Sequence, residues 1–550
     1  MAISFTLPGT VDVDTLADAW LAVVERHGTL RSVFVRDGDD DGDDIALEGI
    51  EVTAGGWVGH PIAPGQSMND AVREVLDAHC TPFSQPSHRM CVIETVSETT
   101  VIIGVDHSHT DMWSMLVVLR DLVDALGLTD AGLPPSLAVV PAFADHTAAL
   151  TDRQDIPPEI HRRWAEVIEA SGDVMPCFPL PLGEPGPHRE RVEIRDVLDV
   201  DDAAAFSAQA REDGVSSLVT VVSAMTAVTR DLAGVPLRAV FPVHSRHEQR
   251  WHDSVGWFIT NSVLESADPD PLACKAAVKE AVRLGSWPLE PVMEPWGGMP
   301  EAPGMFAISW LDLRRLPVRV DSAGLQAQYV GASIRPDGVM LWFILDETGL
   351  HLRCRYPDTE QARRSVGAWL DALQTDVQAR ARESVGGLLQ VAGQAYRVQR
   401  ATRSDVPAIV ALLADDHLGA ARESDDLADY ERAFDAVHRD PFQYLAVVVD
   451  TSGNTARDSS GEIIGTMQLT VLPGLSRSGT TRLQIEGVRI TPELRGKGLG
   501  TAMLEWAHEH GRARGAGLAQ LTTDISRDGA RAFYEKLGYA DSHIGFKRPL

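Results

Sequence analysis

The sequence predicts a mixed α/β (α+β) protein assembled from three units. Runs at strand period alternate with runs at helical period from end to end. A proline-rich stretch, Phe178 to His188 (FPLPLGEPGPH), breaks that pattern and reads as a crossover between two lobes. A second break, Glu383 to Gln394 (ESVGGLLQVAGQ), leaves a final segment of one-domain length. The units expected are 1–180, 181–385 and 396–550.

Taken in order, Ile3, Phe5 and Leu7 alternate as in a strand, and Val13 to His27 repeats its apolar residues at helical spacing. Leu30 to Val35 and Thr100 to Val105 are β-rich, and a polar loop then leads into helical spacing over Met115 to Leu126. Ala362 to Ala381 is helical. In the last unit, strands are predicted at Ala446–Val449, Ile463–Val471 and Leu483–Ile490, followed by a Gly-rich turn and a helix from Thr501 to Arg514. Trp310, Trp342 and Phe343 read as core or tunnel lining.

Composition narrows the function. The 550 residues are 44% hydrophobic and 23% charged, which suits a folded chain and not a disordered one. Against 79 acidic residues stand 49 Lys and Arg, a formal net charge of −30. Such a chain is repelled by phosphate backbones and anionic lipid, so neither nucleic acid nor membrane is expected as a partner. Cys80, Cys91, Cys177, Cys274 and Cys354 are scattered, with no C-x-x-C pair, which predicts a reducing, cytoplasmic setting. Met1 to Pro8 lacks a basic stretch followed by an apolar core, so no signal peptide is expected.

Two metal-like patterns are weak. Asp37 to Glu48 (DGDDDGDDIALE) resembles a calcium loop, but a strand pattern precedes it and its apolar residue falls one place late, so it reads as an acidic hairpin tip. His244, His247 and His252 are spaced by three and five, which sets no common helical face, and Arg246 and Arg250 would oppose a cation. No metal is expected.

Two segments carry chemistry. In Asp106-His107-Ser108-His109-Thr110-Asp111-Met112, between a strand and a helix, an imidazole can act as a general base near neutral pH. In Arg495-Gly496-Lys497-Gly498-Leu499-Gly500-Thr501, glycines let successive N–H groups face one anion at a helix start, and two cations add to the field. This turn is neither a Walker loop nor a full dinucleotide fingerprint.

The first segment resembles the HHxxxDG signature of condensation domains and the related chloramphenicol-type acyltransferases. His107 falls on the catalytic second histidine and Asp111 on the aspartate. Arg26 to Arg31 resembles RHxxLR, Thr81 to Ser84 with Arg89 resembles PFDL…R, and Ser254 to Asn261 resembles VGxFxN. Arg246 stands at an upstream family arginine. The resemblance spans about 1–385 and implies two chloramphenicol-acetyltransferase-like lobes forming a V-shaped domain. It also implies His107 as base, Asp111 paired with Arg246 as a structural element, and an acyl thioester often borne on a carrier protein's phosphopantetheine arm. Asp106 replaces the first histidine of the signature and Met112 its glycine.

The second segment resembles the R-x-x-G-x-G coenzyme A motif of GNAT acetyltransferases, and Ala530 to Tyr539 resembles their A-x-x-F-Y-x-x-L-G-F helix. That likeness covers 396–550 and implies a mixed, centrally splayed sheet with acetyl-CoA as co-substrate. The strand end Val488, Arg489 and Ile490 would border the pantetheine arm, and Arg495 to Thr501 would hold the pyrophosphate. Tyr534 would protonate the leaving thiolate and Glu486 would serve as base. Arg527 stands where many relatives carry asparagine and would meet the coenzyme's phosphates. The expected function is a bifunctional acyltransferase of specialised-metabolite biosynthesis, forming an amide or ester and acetylating a small-molecule amine. The alternative is a catalytic GNAT domain beside a degenerate substrate- or carrier-binding module.

Overall fold

Strand and helix alternate along the whole chain in the computed structural model, which describes residues 1–550 except 37–44, 96–97, 154, 323, 385–386, 416–422, 425, 441, 451–461, 525–527, 543–544, 546–547 and 549–550. The acidic tip from Asp37 to Asp44 therefore lies outside the described residues, as does Arg527. The chain divides into two units. One comprises Met1–Arg195, Val222–Asp346 and Leu352–Asp371; the other comprises Asp196–Val221, Glu347–His351 and Ala372–Leu550.

In the first unit, the strand Ala2–Pro8 lies in a four-stranded sheet ordered Gln328–Val330, Ala2–Pro8, Glu98–Val105, His88–Glu94. Its Ile3, Phe5 and Leu7 share one buried face with Val101, Ile103 and Val105, the two-residue alternation of a sheet covered on that side. The helix Val13–Arg26 starts where Asp12 accepts from the Thr15 N–H, satisfying one of the helix's orphan donors. Leu30 does not begin a strand. It is buried in the single 3₁₀ turn Gly28–Arg31, and the strand runs Ser32–Arg36. Burial of Leu30 outweighs its β-like context.

A second sheet is ordered Glu190–Leu198, Gly349–Pro357, Val339–Asp346, Phe306–Asp312, Leu237–His244, Ile259–Ser266. Between its strands Phe306–Asp312 and Val339–Asp346 the chain leaves to pair Gln328–Val330 with Ala2–Ser4, then returns. On the way Leu313, Leu316, Val318 and Tyr329 pack against the first sheet's core. Buried Trp369, from the long helix Glu360–Ser384, packs against Phe178 and Phe306. Phe343 is buried in the core and Trp342 is half-buried.

The other unit holds a six-stranded sheet in sequence order: Leu388–Val391, Gln394–Arg400, Gln443–Asp450, Ile463–Leu472, Arg482–Ile490, Leu518–Leu521. All neighbours are antiparallel except the last pair. That pairing spans only Arg482–Ile485 with Leu518–Leu521, so the neighbours part where the longer strand continues to Ile490. Gly487 sits there at φ +60, a left-handed position that glycine adopts without strain. The sequence break at Glu383–Gln394 conceals a hairpin: Leu388 pairs with Arg397 around Ala392 and Gly393, both at positive φ. Two such residues suit the tight turns that match strand twist, but alanine in the first place hides the signal.

Candidate active sites

The first site grows from the end of Glu98–Val105. Asp106 caps the turn that follows: its Oδ1 accepts from the Ser108 N–H at 2.9 Å, and the Asp106 N–H donates to Ser87 O at 2.9 Å. Burial raises the carboxyl's pKa, but hydrogen bonds from His109 and Ser108 prevail and hold it below the usual value. Asp106 thus stays ionised and fixes the backbone around His107. Met112 opens the helix Met112–Asp130 half-buried, in ordinary helical conformation, where no glycine is required.

His107 donates through Nδ1 to the Thr110 carbonyl at 2.8 Å. A carbonyl can only accept, so this bond places the ring proton on Nδ1 and leaves Nε2 with a free lone pair. His107 is exposed to solvent, although protein atoms surround its ring closely. Burial holds the imidazole below its ordinary pKa, outweighing the Thr110 hydrogen bond and the Asp111 and Asp106 charges. Trp257 meets its ring edge-on at 4.8 Å between centroids.

Asp111 and Arg246, 135 residues apart, are both buried and joined: Nη2 donates to Oδ1 at 3.0 Å and to Oδ2 at 3.2 Å. Asp111 also caps the helix, accepting from the Ser114 N–H at 2.7 Å, and accepts from the Phe258 N–H at 3.1 Å. Arg246 Nη1 donates to the carbonyls of Trp251 (2.8 Å) and Ser254 (2.5 Å), and its guanidinium lies 3.8 Å from the Phe258 ring centroid. Ser114, which the motif reading did not assign a role, and Gly256, the glycine of the VGxFxN element, complete the arrangement. Ser114 Oγ accepts from Arg246 Nη2 at 2.6 Å and donates to Gly256 O at 2.8 Å. Gly256 brings its backbone against Phe143: a Cβ there would lie 2.3 Å from the Phe143 Cγ. Gly256→Ala is expected to cost about 1–3 kcal/mol through overpacking and to lower acyl transfer, while leaving acetyl-CoA binding intact by calorimetry. The RHxxLR element supports the site from behind. His27 Nε2 meets Asp121 at 2.7 Å, and Arg26 and Arg120 reach the same carboxylate at 3.2 and 2.8 Å. His244 and His252 flank Trp113 with ring centroids at 5.7 and 5.4 Å. Among the described residues no group of three or more His, Cys, Asp or Glu side chains could hold a metal.

The second site lies at the splay. Val488, Arg489 and Ile490 are half-buried beyond the last residue paired with Leu518–Leu521, and Glu486 is exposed on the same strand, opposite Gln468. Gly496 and Gly498 take positive φ of 74 and 99, and the helix Leu499–Ala513 starts without a side-chain cap. Its first N–H groups therefore lack intrahelical partners and face outward with the positive end of the helix dipole. Gly500 keeps this face low: a Cβ would lie 3.3 Å from Ile490 Cδ1 and from Phe533 Cζ. The turn fits a diphosphate. Arg495 is engaged elsewhere, its Nη2 2.6 Å from Asp415 and its Nε donating to Ile490 O at 3.0 Å. It braces the loop, while Lys497 is exposed. Tyr534, on the helix Asp528–Lys536, is half-buried beside Phe533 and Tyr539, whose hydroxyl meets His508 Nε2 at 2.7 Å.

Fold and sites define an acyltransferase class: residues 1–267 match the condensation domain family and residues 407–539 match the acetyltransferase (GNAT) family, so the chain is a condensation domain fused to a GNAT domain. Over 399 residues it is 25% identical to acyltransferase PapA3 of Mycobacterium tuberculosis, covering 68% of this chain and 82% of that protein. Over 91 residues it is 34% identical to an aminoalkylphosphonate N-acetyltransferase of Salmonella typhimurium, covering 16% of this chain and 58% of that enzyme. Among solved structures, PapA2 acyl transferase superposes with a TM-score of 0.61 at 20% identity, over 69% of this chain and 86% of that one. No described helix is long and apolar enough to cross a membrane.

Proposed function

We propose that the chain is a bifunctional acyltransferase of specialised-metabolite biosynthesis. Its condensation domain forms an amide, or an ester, from an acyl thioester, and its GNAT domain moves an acetyl group from acetyl-CoA to a small-molecule amine. A carrier protein presents the thioester of the first reaction. The observation that carries this reading is the Nδ1 hydrogen bond from His107 to Thr110. With Nδ1 occupied, Nε2 accepts the acceptor's proton as its nitrogen or oxygen attacks the thioester carbon; the new bond forms, the C–S bond breaks, and the thiolate takes up a proton. A degenerate binding module has no need of a tautomer held in this way.

For the second reaction, the outward N–H groups of the 496–501 turn and Lys497 suit the coenzyme's diphosphate. Glu486 would draw the amine proton, directly or through water, and Tyr534 would return one to the leaving thiolate. Calorimetric titration of acetyl-CoA into the whole chain tests the assignment. One site per chain is expected, lost in Gly498→Glu, where φ of +99 opposes a side chain and the added carboxylate repels a diphosphate. Two sites would mean that the first domain also takes coenzyme A. No binding would sink the GNAT assignment.

A further inference from the structure

Outside both sites, one of two neighbouring arginines lacks a polar partner among the described residues. Arg353 and Arg355 project from Gly349–Pro357 on the same side as half-buried Trp342, with guanidinium carbons 5.7 and 5.8 Å from its ring. Arg355, nearly buried, has Nε 2.9 Å from Glu190 and donates from Nη2 to Ala332 O at 2.8 Å. Arg353 has no hydrogen-bond or ion-pair partner among the described residues, and its Nε is buried. Both guanidiniums converge on the backbone of Gly331. A Cβ there would lie 3.2 Å from Arg355 Nη2 and 3.3 Å from each terminal nitrogen of Arg353.

A guanidinium taken out of water without an acceptor is costly, and the neighbouring Arg355 charge adds repulsion. Burial and that repulsion both lower the Arg353 pKa, with Glu190 the opposing charge. Glu190 balances one of the two cations, leaving a single positive charge on half-buried Arg353. Two forked donors this close together match the oxygens of a carboxylate or phosphate.

The pair also lies on a definite face. Met340 pairs with Ala307 and Ala307 with Val240, so by strand alternation Trp342 and His244 share one side of the sheet. His244 is the residue that meets Trp113, in the helix that begins at the His107 loop. Three strand steps separate Gly349–Pro357 from Leu237–His244, roughly 14 Å at the usual spacing. We propose that Arg353 and Arg355 form a binding subsite for a singly charged oxyanion, a carboxylate or a phosphodiester, borne by a substrate of the condensation domain. The substrate clause rests on the acyltransferase reading above; the oxyanion site does not.

The test titrates the whole chain with butyrate, with the methyl ester of 4′-phosphopantetheine and with uncharged pantetheine. At least one oxyanion probe is expected to bind at one site per chain, tenfold or more weaker in Arg353→Met and weakened in Arg353→Lys, which keeps charge but loses the fork. Pantetheine should not distinguish the three proteins. Preference for butyrate points to a free acid, and preference for the diester points to a carrier arm. Without ligand, Arg353→Met should melt no lower than the parent, because no hydrogen bond or ion pair is lost and methionine can still pack on the Trp342 ring. His107→Ala should bind the probe unchanged, so failure of the catalytic reading and failure of this one are separable. Absence of oxyanion binding, undiminished binding in Arg353→Met, or loss of folding in that variant would each overturn the proposal.

Discussion

His107→Ala is expected to lower thioester consumption by the condensation domain by about 10²–10⁴-fold, the usual contribution of a positioned general base. Acetyl-CoA binding at the GNAT domain should be unchanged, because no described bond of His107 reaches that turn. The pH profile carries the sharper signature. Burial favours the neutral imidazole, so the base stays unprotonated below the ordinary value near 6.5. Activity should therefore hold as pH falls through that value and decline only when it passes the lowered pKa of His107. Released thiol from an acyl-pantetheine thioester, measured from pH 5 to 8, reads both effects. If His107→Ala leaves the product spectrum and this limb unchanged while Tyr534→Phe is damaging, the first domain only binds substrate.

Asp111→Ala should destabilise the chain by about 3–5 kcal/mol, the cost of stranding a buried charge, with roughly 1 kcal/mol of that from the lost helix cap. Arg246 would keep the carbonyls of Trp251 and Ser254 and the Ser114 hydroxyl, but no carboxylate. The Phe258 N–H would also lose its acceptor. In a melting experiment this appears as a fall of roughly 2–4 °C per kcal/mol for a domain of 150–250 residues. The double variant Asp111→Ala, Arg246→Met should recover part of the loss, since removing both charges removes the desolvation penalty as well. If Asp111→Ala costs less than about 1 kcal/mol, solvent reaches the pair and the loop is held by other contacts.

Much of this was legible locally. Ile3, Phe5 and Leu7 announce a one-sided strand by period alone, and the 495–501 glycines mark a turn into a helix start. Leu30 was misread because one buried apolar residue looks the same in a 3₁₀ turn as in a strand. The hairpin at Ala392 and Gly393 was missed because its turn lacks the Asn-Gly or Asp-Gly pair that marks such loops. Arg495 looked like a phosphate ligand; its engagement with Asp415 depends on a residue 80 positions away.

The sequence by itself determined the mixed α/β class and the two families, and it supplied the candidate residues for chemistry, because period, glycine placement and motif order are properties of nearby residues. Tertiary structure alone decided how those residues are held. The strand Gln328–Val330 joins Ala2–Ser4 more than 300 residues away. Thr110 selects the His107 tautomer through a carbonyl that every sequence would supply. Arg353 is notable for a partner it lacks. Each depends on which atoms meet after the chain has folded, and burial then sets the energy of every polar group by whether an acceptor or donor stands within reach.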